Sequence, residues 1–215
     1  MRFGFNKEVK VSKYLMIEAW VEGTRPVLVN RATEEDLMGK TRQNTPGAEE
    51  EPRDIAERHV YRFKHNNQLC FPGEGFARMM REAGGSHKAK GQRKSLKYIV
   101  PAAVVVMDDL CGFFLKDRKT PITEFEVDSR PVTIPATKGR VMRHRAKIME
   151  WTCRVTLRIN TVLLDEQMVR RLLSEGIETI GLGDKRPSMG IGDVVLWQVL
   201  NRSDKLSPSQ IHAVG

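Results

Sequence analysis

The sequence is poor in cysteine and in aromatic residues, and neither type forms a recognisable binding motif. Only three cysteines occur, Cys70, Cys111 and Cys153, widely spaced and each set in an apolar run. Such spacing predicts buried free thiols rather than disulfides or a zinc site. Aromatic residues make up 7% of the chain, and the expected central strands lack the Phe/Tyr triplet on which RNA-recognition motifs stack bases. Zinc-finger recognition is thereby excluded, and base contacts are expected from loops rather than from a sheet face.

Long apolar runs are missing as well. None approaches the roughly 20 residues needed to cross a bilayer. The first residues, Met-Arg-Phe-Gly-Phe-Asn-Lys-Glu, lack the apolar core of a signal peptide. We therefore expect a cytoplasmic protein without a membrane partner.

Several catalytic motifs are also absent. Gly181-Leu182-Gly183 follows a helical pattern rather than a strand, and no Gly-Lys-Ser/Thr occurs, so nucleotide hydrolysis is not predicted. The acidic residues do not cluster as a two-metal site requires, and no Gly-x-Ser-x-Gly occurs. We expect neither a metal nor another cofactor.

Two histidines leave one catalytic hypothesis open. His87 and His144 lie within cation-rich stretches. A histidine general base beside a cation that stabilises a pentacoordinate phosphate is the arrangement that metal-free RNA cleavage needs. The alternative interpretation is that both are ordinary polar residues, and a non-catalytic protein is the leading hypothesis.

Positive charge is what the chain has in excess. It has 36 Lys and Arg against 27 Asp and Glu, a net charge of +9, which favours polyanions and nucleic acid above all. Closely spaced cations can contact successive phosphates of one strand and gain affinity by counterion release. The alternative is a solvated surface. The candidate contacts are Lys88, Lys90, Arg93, Lys94 and Lys97 in a first acid-free cluster, Lys138, Arg140, Arg143 and Arg145 in a second, and Lys185 and Arg186.

Lys185 and Arg186 belong to a glycine-rich loop over residues 181–192. Its glycines are Gly181, Gly183, Gly190 and Gly192. Glycines let the backbone adopt tight turns and approach a phosphate closely. The loop is therefore interpreted as a tight turn to which a polyanion contact is added.

Hydrophobic periodicity predicts an α+β fold. The predicted strands span 14–21, 27–29 (continuing the first strand or pairing with it), 61–63, 69–71, 102–107 (covered on both faces), 111–115 (its partner), 151–159 and 194–200, and the helices span 76–83 and 164–175, ended by Gly84-Gly85 and by Gly176. This order matches a ferredoxin-like or RRM-like βαββαβ sheet with two helices on one face. We predict one such domain over 1–200, with a flexible acidic insertion at 31–58, basic loops at 86–97 and 136–147, and a polar tail at 201–215.

Two motifs resemble the RAMP superfamily, the RNA-binding proteins of CRISPR effector complexes. Phe71–Arg78 is similar to the Pro-Gly opening of the first helix in effector backbone subunits, although Glu74 stands where a small polar residue is common. The helix at 164–175 with the loop at 181–192 is similar to that superfamily's terminal glycine-rich segment. The Gly-x-Gly-Asp-x-Arg-Pro loop is most like that of small stand-alone members from bacteriophage genomes.

The resemblance implies a protein that binds single-stranded RNA and lines up head to tail along it, as a homo-oligomer or filament or with CRISPR-type partner subunits. It also implies that both basic clusters lie near the nucleic acid and that the 31–58 insertion is a finger- or thumb-like element. Three alternatives stay open: a metal-independent endoribonuclease of the same superfamily, a phage single-stranded DNA-binding or recombination accessory, and a structural protein with a basic surface.

Overall fold

The computed structural model describes residues 13–34, 50–89, 91, 93–133 and 138–200. The strands in this part of the chain are β1 (Tyr14–Gly23), β2 (Val27–Val29), β3 (Tyr61–Arg62), β4 (Leu69–Pro72), β5 (Val104–Val106), β6 (Leu110–Phe114), β7 (Glu126–Thr133), β8 (Arg140–Ile148), β9 (Thr152–Asn160) and β10 (Gly192–Val199). The α-helices are α1 (Pro52–Arg58), α2 (Gly73–Ala83), α3 (Val100–Ala103) and α4 (Glu166–Thr179). No helix in these ranges combines the length and apolar character needed to cross a membrane.

The larger sheet is antiparallel, with strands in the order β10-β1-β9-β6-β4-β3 and with β5 also paired to β9. β5 and β6 lie end to end along β9, so the prediction that they pair with each other is wrong. The chain detours between them at Asp108, whose carboxylate accepts the backbone N–H of Thr156 at 2.6 Å. Burial of β5 on both faces is also wrong, because Val105 is 38% exposed.

A second antiparallel sheet has the order β2-β8-β7, which corrects two predictions. Residues 27–29 pair with β8 instead of β1, and most of the second basic cluster is the strand β8 instead of a loop. Ala146 and Ile148, at the inner (C-terminal) end of β8, are buried and pack into the core. The outer end is polar, which is why the sequence pattern did not predict a strand there.

The segment predicted as a flexible insertion at 31–58 contains α1, whose Ala56 is fully buried. Arg53 of α1 donates to the Phe125 carbonyl at 3.3 Å and lies with its guanidinium carbon 4.9 Å from the Phe125 ring centroid. This end of the insertion is therefore a structured part of the fold. Residues 35–49 of the insertion and the tail at 201–215 lie outside the described residues.

The core lies between the larger sheet and the helices α2 and α4. Its α2 side is formed by Phe76, Met79, Met80 and Ala83, as the helical period predicted, and its α4 side by Val169, Leu172, Leu173 and Ile177. The α4 helix is capped by Asp165, which accepts the Met168 N–H at 2.7 Å. It continues through Gly176 to Thr179 instead of ending there. A Cβ on Gly176 would lie only 3.1 Å from Cγ of Met79, so glycine at this position permits the close approach of α2.

The three cysteines are free and buried, as predicted. Burial raises the pKa of Cys70 to about 12. A hydrogen bond with Cys153, followed by burial, raises the pKa of Cys111 well above its usual value. None of these observations favours a thiolate nucleophile.

The predicted α+β class is confirmed, with antiparallel sheets and helices packed against them. Along the chain, β2, α1, β3 and β4 intervene between β1 and α2, and β7 and β8 belong to the second sheet. The arrangement is thus richer than the simple βαββαβ alternation.

Candidate nucleic-acid interface

The first basic cluster lies on a loop that is anchored at its base. The loop leaves a 3₁₀ turn at Gly84–Ser86 and returns to another at Leu96–Tyr98. The Leu96 N–H donates to the His87 carbonyl at 2.8 Å, and the Ser95 hydroxyl donates to the Gly84 carbonyl at 2.8 Å. Hydrogen bonds therefore join the two ends of the loop.

His87 attaches this loop to α4. Its Nε2 lies 2.5 Å from Oε2 of Glu175, whose other oxygen accepts from Nε of Arg171 at 2.6 Å. The Arg171 hydrogen bond, followed by that of His87, lowers the pKa of the Glu175 carboxyl. Glu175 is thus held in its charged form between two donors, and His87 is engaged at the base of the loop.

The cations of this loop point to solvent. Lys88, Arg93, Lys94 and Lys97 are exposed. In the described part of the chain none of the four forms an ion pair with a carboxylate. Lys90, the fifth predicted contact, lies outside the described residues. The structure therefore presents four of the predicted cations together on one anchored loop.

The second basic cluster divides into exposed and buried members. Lys138, Arg140 and Arg143 are exposed at the outer end of β8. Arg145 is only 6% exposed, and its Nε donates to Oδ2 of Asp184 at 2.8 Å. Arg145 therefore connects β8 to the glycine-rich loop. The sequence predicted it as a surface contact, but its side chain is buried.

The surroundings of Arg145 contain a second buried charge. Asp128 of β7 lies directly opposite Arg145 in the sheet register and accepts from Arg130 at 2.7 Å. Its Oδ2 atom and the Nη1 atom of Arg145 are buried without a hydrogen-bond partner in the described part of the chain. Arg143 lies directly opposite Arg130. Two guanidinium groups therefore occupy neighbouring positions next to this buried pair.

The glycine-rich loop packs against β2. The Asp184 N–H donates to the Leu28 carbonyl at 2.9 Å, and the Gly190 N–H donates to the Pro26 carbonyl at 2.8 Å. At Gly183, with φ of +73°, a Cβ would collide with the Leu28 carbonyl oxygen. Gly181 and Gly190 also have positive φ, whereas Gly192 begins β10 beside the Glu22 carbonyl. The interpretation of the loop as a tight turn fits this geometry.

The two cations of the loop line a groove of about 500 Å³ with Glu82 of α2 and Thr179 of α4. Lys185 is half-buried and has a φ of +58°. Nη1 of Arg186 lies 3.4 Å from Oε2 of Glu82. Arg186 is thus partly neutralised, and Lys185 has no ion pair in the described residues.

His144, the second candidate base, lies on β8 with its Nδ1 atom 2.7 Å from Oγ of Ser129. His87 and His144 therefore have different partners, a carboxylate and a hydroxyl. The described residues hold no group of three or more His, Cys, Asp or Glu side chains that could bind a metal ion.

Sequence reasoning missed some exposed cations. Arg81 of α2 and Arg170 of α4 are exposed on the two helices that bracket the core, and Arg158 is exposed on β9. Their signal in the sequence was a polar position in a helical or alternating pattern, which does not by itself distinguish a binding residue from a solvated one.

Comparison of the sequence with protein-family models and with curated proteins finds no match. Solved structures do match. A chain from the cryo-EM structure of the Type III-B Cmr-beta bound to cognate target RNA aligns over 87% of this chain, with a TM-score of 0.51 and 11% identity. This chain covers 61% of that chain's length. Cmr6 from Pyrococcus furiosus aligns over 85% of this chain and 98% of its own, with a TM-score of 0.44 and 11% identity.

At 11% identity, the likeness to the Cmr-beta chain concerns the fold alone. This chain therefore shares a fold with a chain of a type III-B Cmr assembly, as the sequence resemblance led us to expect.

Proposed function

We propose that the chain is a CRISPR-associated RNA-binding protein that holds single-stranded RNA without cleaving it. The observation that carries this proposal is the anchored loop with four exposed cations and no ion-paired carboxylate among the described residues. The anchored base brings the described cations together on one segment, so several phosphates can be contacted at a lower entropic cost. The fold of the Cmr-beta chain, from a structure that contains target RNA, supports the same class of ligand.

The outer end of β8 is the second part of the proposed interface. Arg143 and Arg130 lie directly opposite each other, and like charges in that position destabilise a sheet. Asp128 offsets part of this repulsion by accepting from Arg130, and a phosphate bound between the two guanidinium groups would offset more of it. Lys138 and Arg140 extend the same end of the strand, while Arg145 is left out of the interface because it is buried.

The test compares two double variants in binding to single-stranded RNA at physiological salt. Lys88→Ala with Lys94→Ala removes two loop cations, and we expect at least a tenfold loss of affinity. Arg118→Ala with Lys119→Ala removes the same charge from another exposed turn and serves as the control, with little loss expected. Equal losses of affinity in both variants would mean that RNA is held by nonspecific attraction to the positive charge of the protein and not by this loop.

RNA specificity is tested by competition with DNA of matched sequence. We expect RNA to compete better, because the 2′-hydroxyl is the group that distinguishes the two. Preferential displacement by DNA would favour the single-stranded DNA-binding alternative.

A metal-independent endoribonuclease is the second candidate, favoured by the hydrogen bond between His87 and Glu175. A carboxylate that orients an imidazole is a common arrangement for a general base. Labelled RNA is incubated with the protein in EDTA, and the non-catalytic proposal expects no cleavage. Cleavage by the wild type that disappears in His87→Ala or His144→Ala would contradict the non-catalytic proposal and favour the endoribonuclease.

We propose further that copies of the chain, or this chain and CRISPR-type partner subunits, line up head to tail along the RNA. The resemblance to effector backbone subunits supports this arrangement. Electrophoresis of native complexes with RNA of increasing length should show bands added in regular steps of one protomer footprint. A single band at every length would contradict it.

We also propose a ferredoxin-like unit into which the other elements are inserted. It consists of β1, α2, β5 and β6 (which together occupy one strand position), β9, α4 and β10. The neighbour order β10-β1-β9 with β5 and β6 on the far side of β9 supports this proposal, as does the packing of α2 and α4.

A further inference from the structure

The face of the larger sheet that points away from α2 and α4 carries an exposed aromatic residue beside an exposed arginine. Side chains alternate between the two faces of a strand, and Ile17, Ala19 and Val21 of β1 face the helices. Tyr14, Met16 and Glu18 therefore lie on the opposite face. Tyr14 is 43% exposed, and the guanidinium carbon of Arg158 lies 5.2 Å from its ring centroid.

This pair continues into a wider strip of the sheet. Arg158 lies opposite Met16 of β1 on one side and opposite Val105 of β5 on the other. With neighbouring strands ~4.8 Å apart, the three positions span about 10 Å. Val105 is 38% exposed, so the strip offers apolar surface around a cation.

The strip is connected to the cationic loop through the chain. Lys97, the last cation of that loop, is joined to β5 by Tyr98 and the short helix α3. β5 then pairs with the end of β9 that carries Arg158. A single strand bound along the loop would reach Arg158 and Tyr14 by passing from the helix side of the sheet around β5.

We propose that Tyr14 and Arg158 form a stacking site for a nucleobase of the bound single-stranded RNA, an inference that rests on the proposed function. Tyrosine rings and guanidinium planes both stack on bases, and every base offers a π-face, so such a site is tolerant of sequence. The arginine adds attraction to the neighbouring phosphate. The site thus supplies base contacts from the sheet face, where the absence of an aromatic triplet predicted none.

A protein partner is the competing occupant of this region. Val162 is 71% exposed and Leu163 is 45% exposed just beyond the end of β9. The cation beside the exposed ring favours RNA at Tyr14. Sedimentation of RNA-free protein tests the alternative of self-association.

The test is photo-crosslinking of an oligouridylate that contains 4-thiouridine, followed by mapping of the crosslinked peptide. We expect the crosslink in the peptide that contains Tyr14, retained in Tyr14→Phe and lost in Tyr14→Ala. We also expect Tyr14→Ala to weaken oligouridylate binding about 5- to 10-fold. Binding of an abasic ribose-phosphate oligomer of equal length should not change, because it contacts only the cations. Thermal melting shows whether each variant remains folded.

The outcomes separate this inference from the proposed function. Wild-type binding with equal affinity for abasic and oligouridylate strands, or a crosslink confined to the loop, would overturn the stacking site and leave the cationic interface intact. Absence of any RNA binding would overturn both. A change in the sedimentation coefficient of RNA-free Tyr14→Ala or Leu163→Ala, with RNA affinity unchanged, would assign the region to protein contacts instead.

Discussion

Arg143 and Arg145 are two residues apart on β8 and have opposite roles. Arg143 is exposed, whereas Arg145 is buried and bound to Asp184 of the glycine-rich loop. Removal of one partner of a buried pair leaves the other charge uncompensated in a medium that solvates it poorly. Arg143 is therefore a candidate surface contact, whereas Arg145 stabilises the fold.

This difference predicts a clean separation of effects. Asp184→Ala should lower the free energy of unfolding by roughly 2–3 kcal/mol, less than for a fully buried pair because the aspartate is partly exposed. Arg143→Ala should change it by no more than about 0.5 kcal/mol while it weakens RNA binding. Urea denaturation and RNA titration of both variants provide the measurements. A stable Asp184→Ala protein would show that the buried guanidinium finds another partner.

Glu175 predicts a dependence of stability on pH. Its pKa is lowered in the folded protein by Arg171 and His87, so its contribution is present above the unfolded-state pKa and is lost as the pH falls through the folded-state pKa. Glu175→Gln should therefore be less stable than the wild type at neutral pH. That difference should shrink below about pH 4.5, the ordinary value for the group.

Urea denaturation across the acidic range measures this effect. Glu178→Gln, on the same helix and without an ion pair in the described residues, is the matched control. A stability difference for Glu175→Gln that does not depend on pH would assign the role of the residue to packing.

Among the elements, the glycine-rich loop depends most on backbone conformation. Gly183 has a φ of +73°, and a Cβ there would collide with the Leu28 carbonyl. Gly183→Ala should therefore lower the free energy of unfolding by roughly 2–4 kcal/mol through left-handed strain and displacement of β2. Gly85→Ala, where a Cβ would meet no atom within 4 Å, should change it by no more than about 1 kcal/mol. Similar melting of the two variants would mean that the loop moves away from β2 without penalty.

The elements also show which parts of the fold the sequence encodes locally. α2 and β9 were predicted because each buries one face, which gives the apolar period of a helix or a strand. β8 was not, because its outer end is exposed and polar and only Ala146 and Ile148 reach the core. The pairing of β5 and β6 with β9, and of β2 with β8, depends on contacts distant in the chain, which no local pattern contains.

The candidate interface was predictable to the extent that it depends on charge density. The exposed cations of the 88–97 loop follow from an acid-free run of sequence. The burial of Arg145 does not, because it requires Asp184 from a segment 39 residues later to cover it. The contact between Tyr14 and Arg158 could not be predicted from an aromatic motif either, because it joins residues of β1 and β9 that are far apart in the sequence.

At the scale of the whole molecule, the net charge of +9 attracts any polyanion, so the salt dependence of binding tests whether a defined set of cations is used. For single strands, the slope of log Kobs against log salt is about −0.7 per phosphate contact. Removal of Lys88 and Lys94 should therefore reduce its magnitude by about 1.4. Removal of Arg118 and Lys119 should leave the slope unchanged, and Tyr14→Ala should lower affinity at every salt concentration without changing it. A slope that falls equally in the two charge variants would mean that RNA is held by the overall charge of the molecule, because contacts at fixed positions cannot respond alike to the loss of cations on different loops.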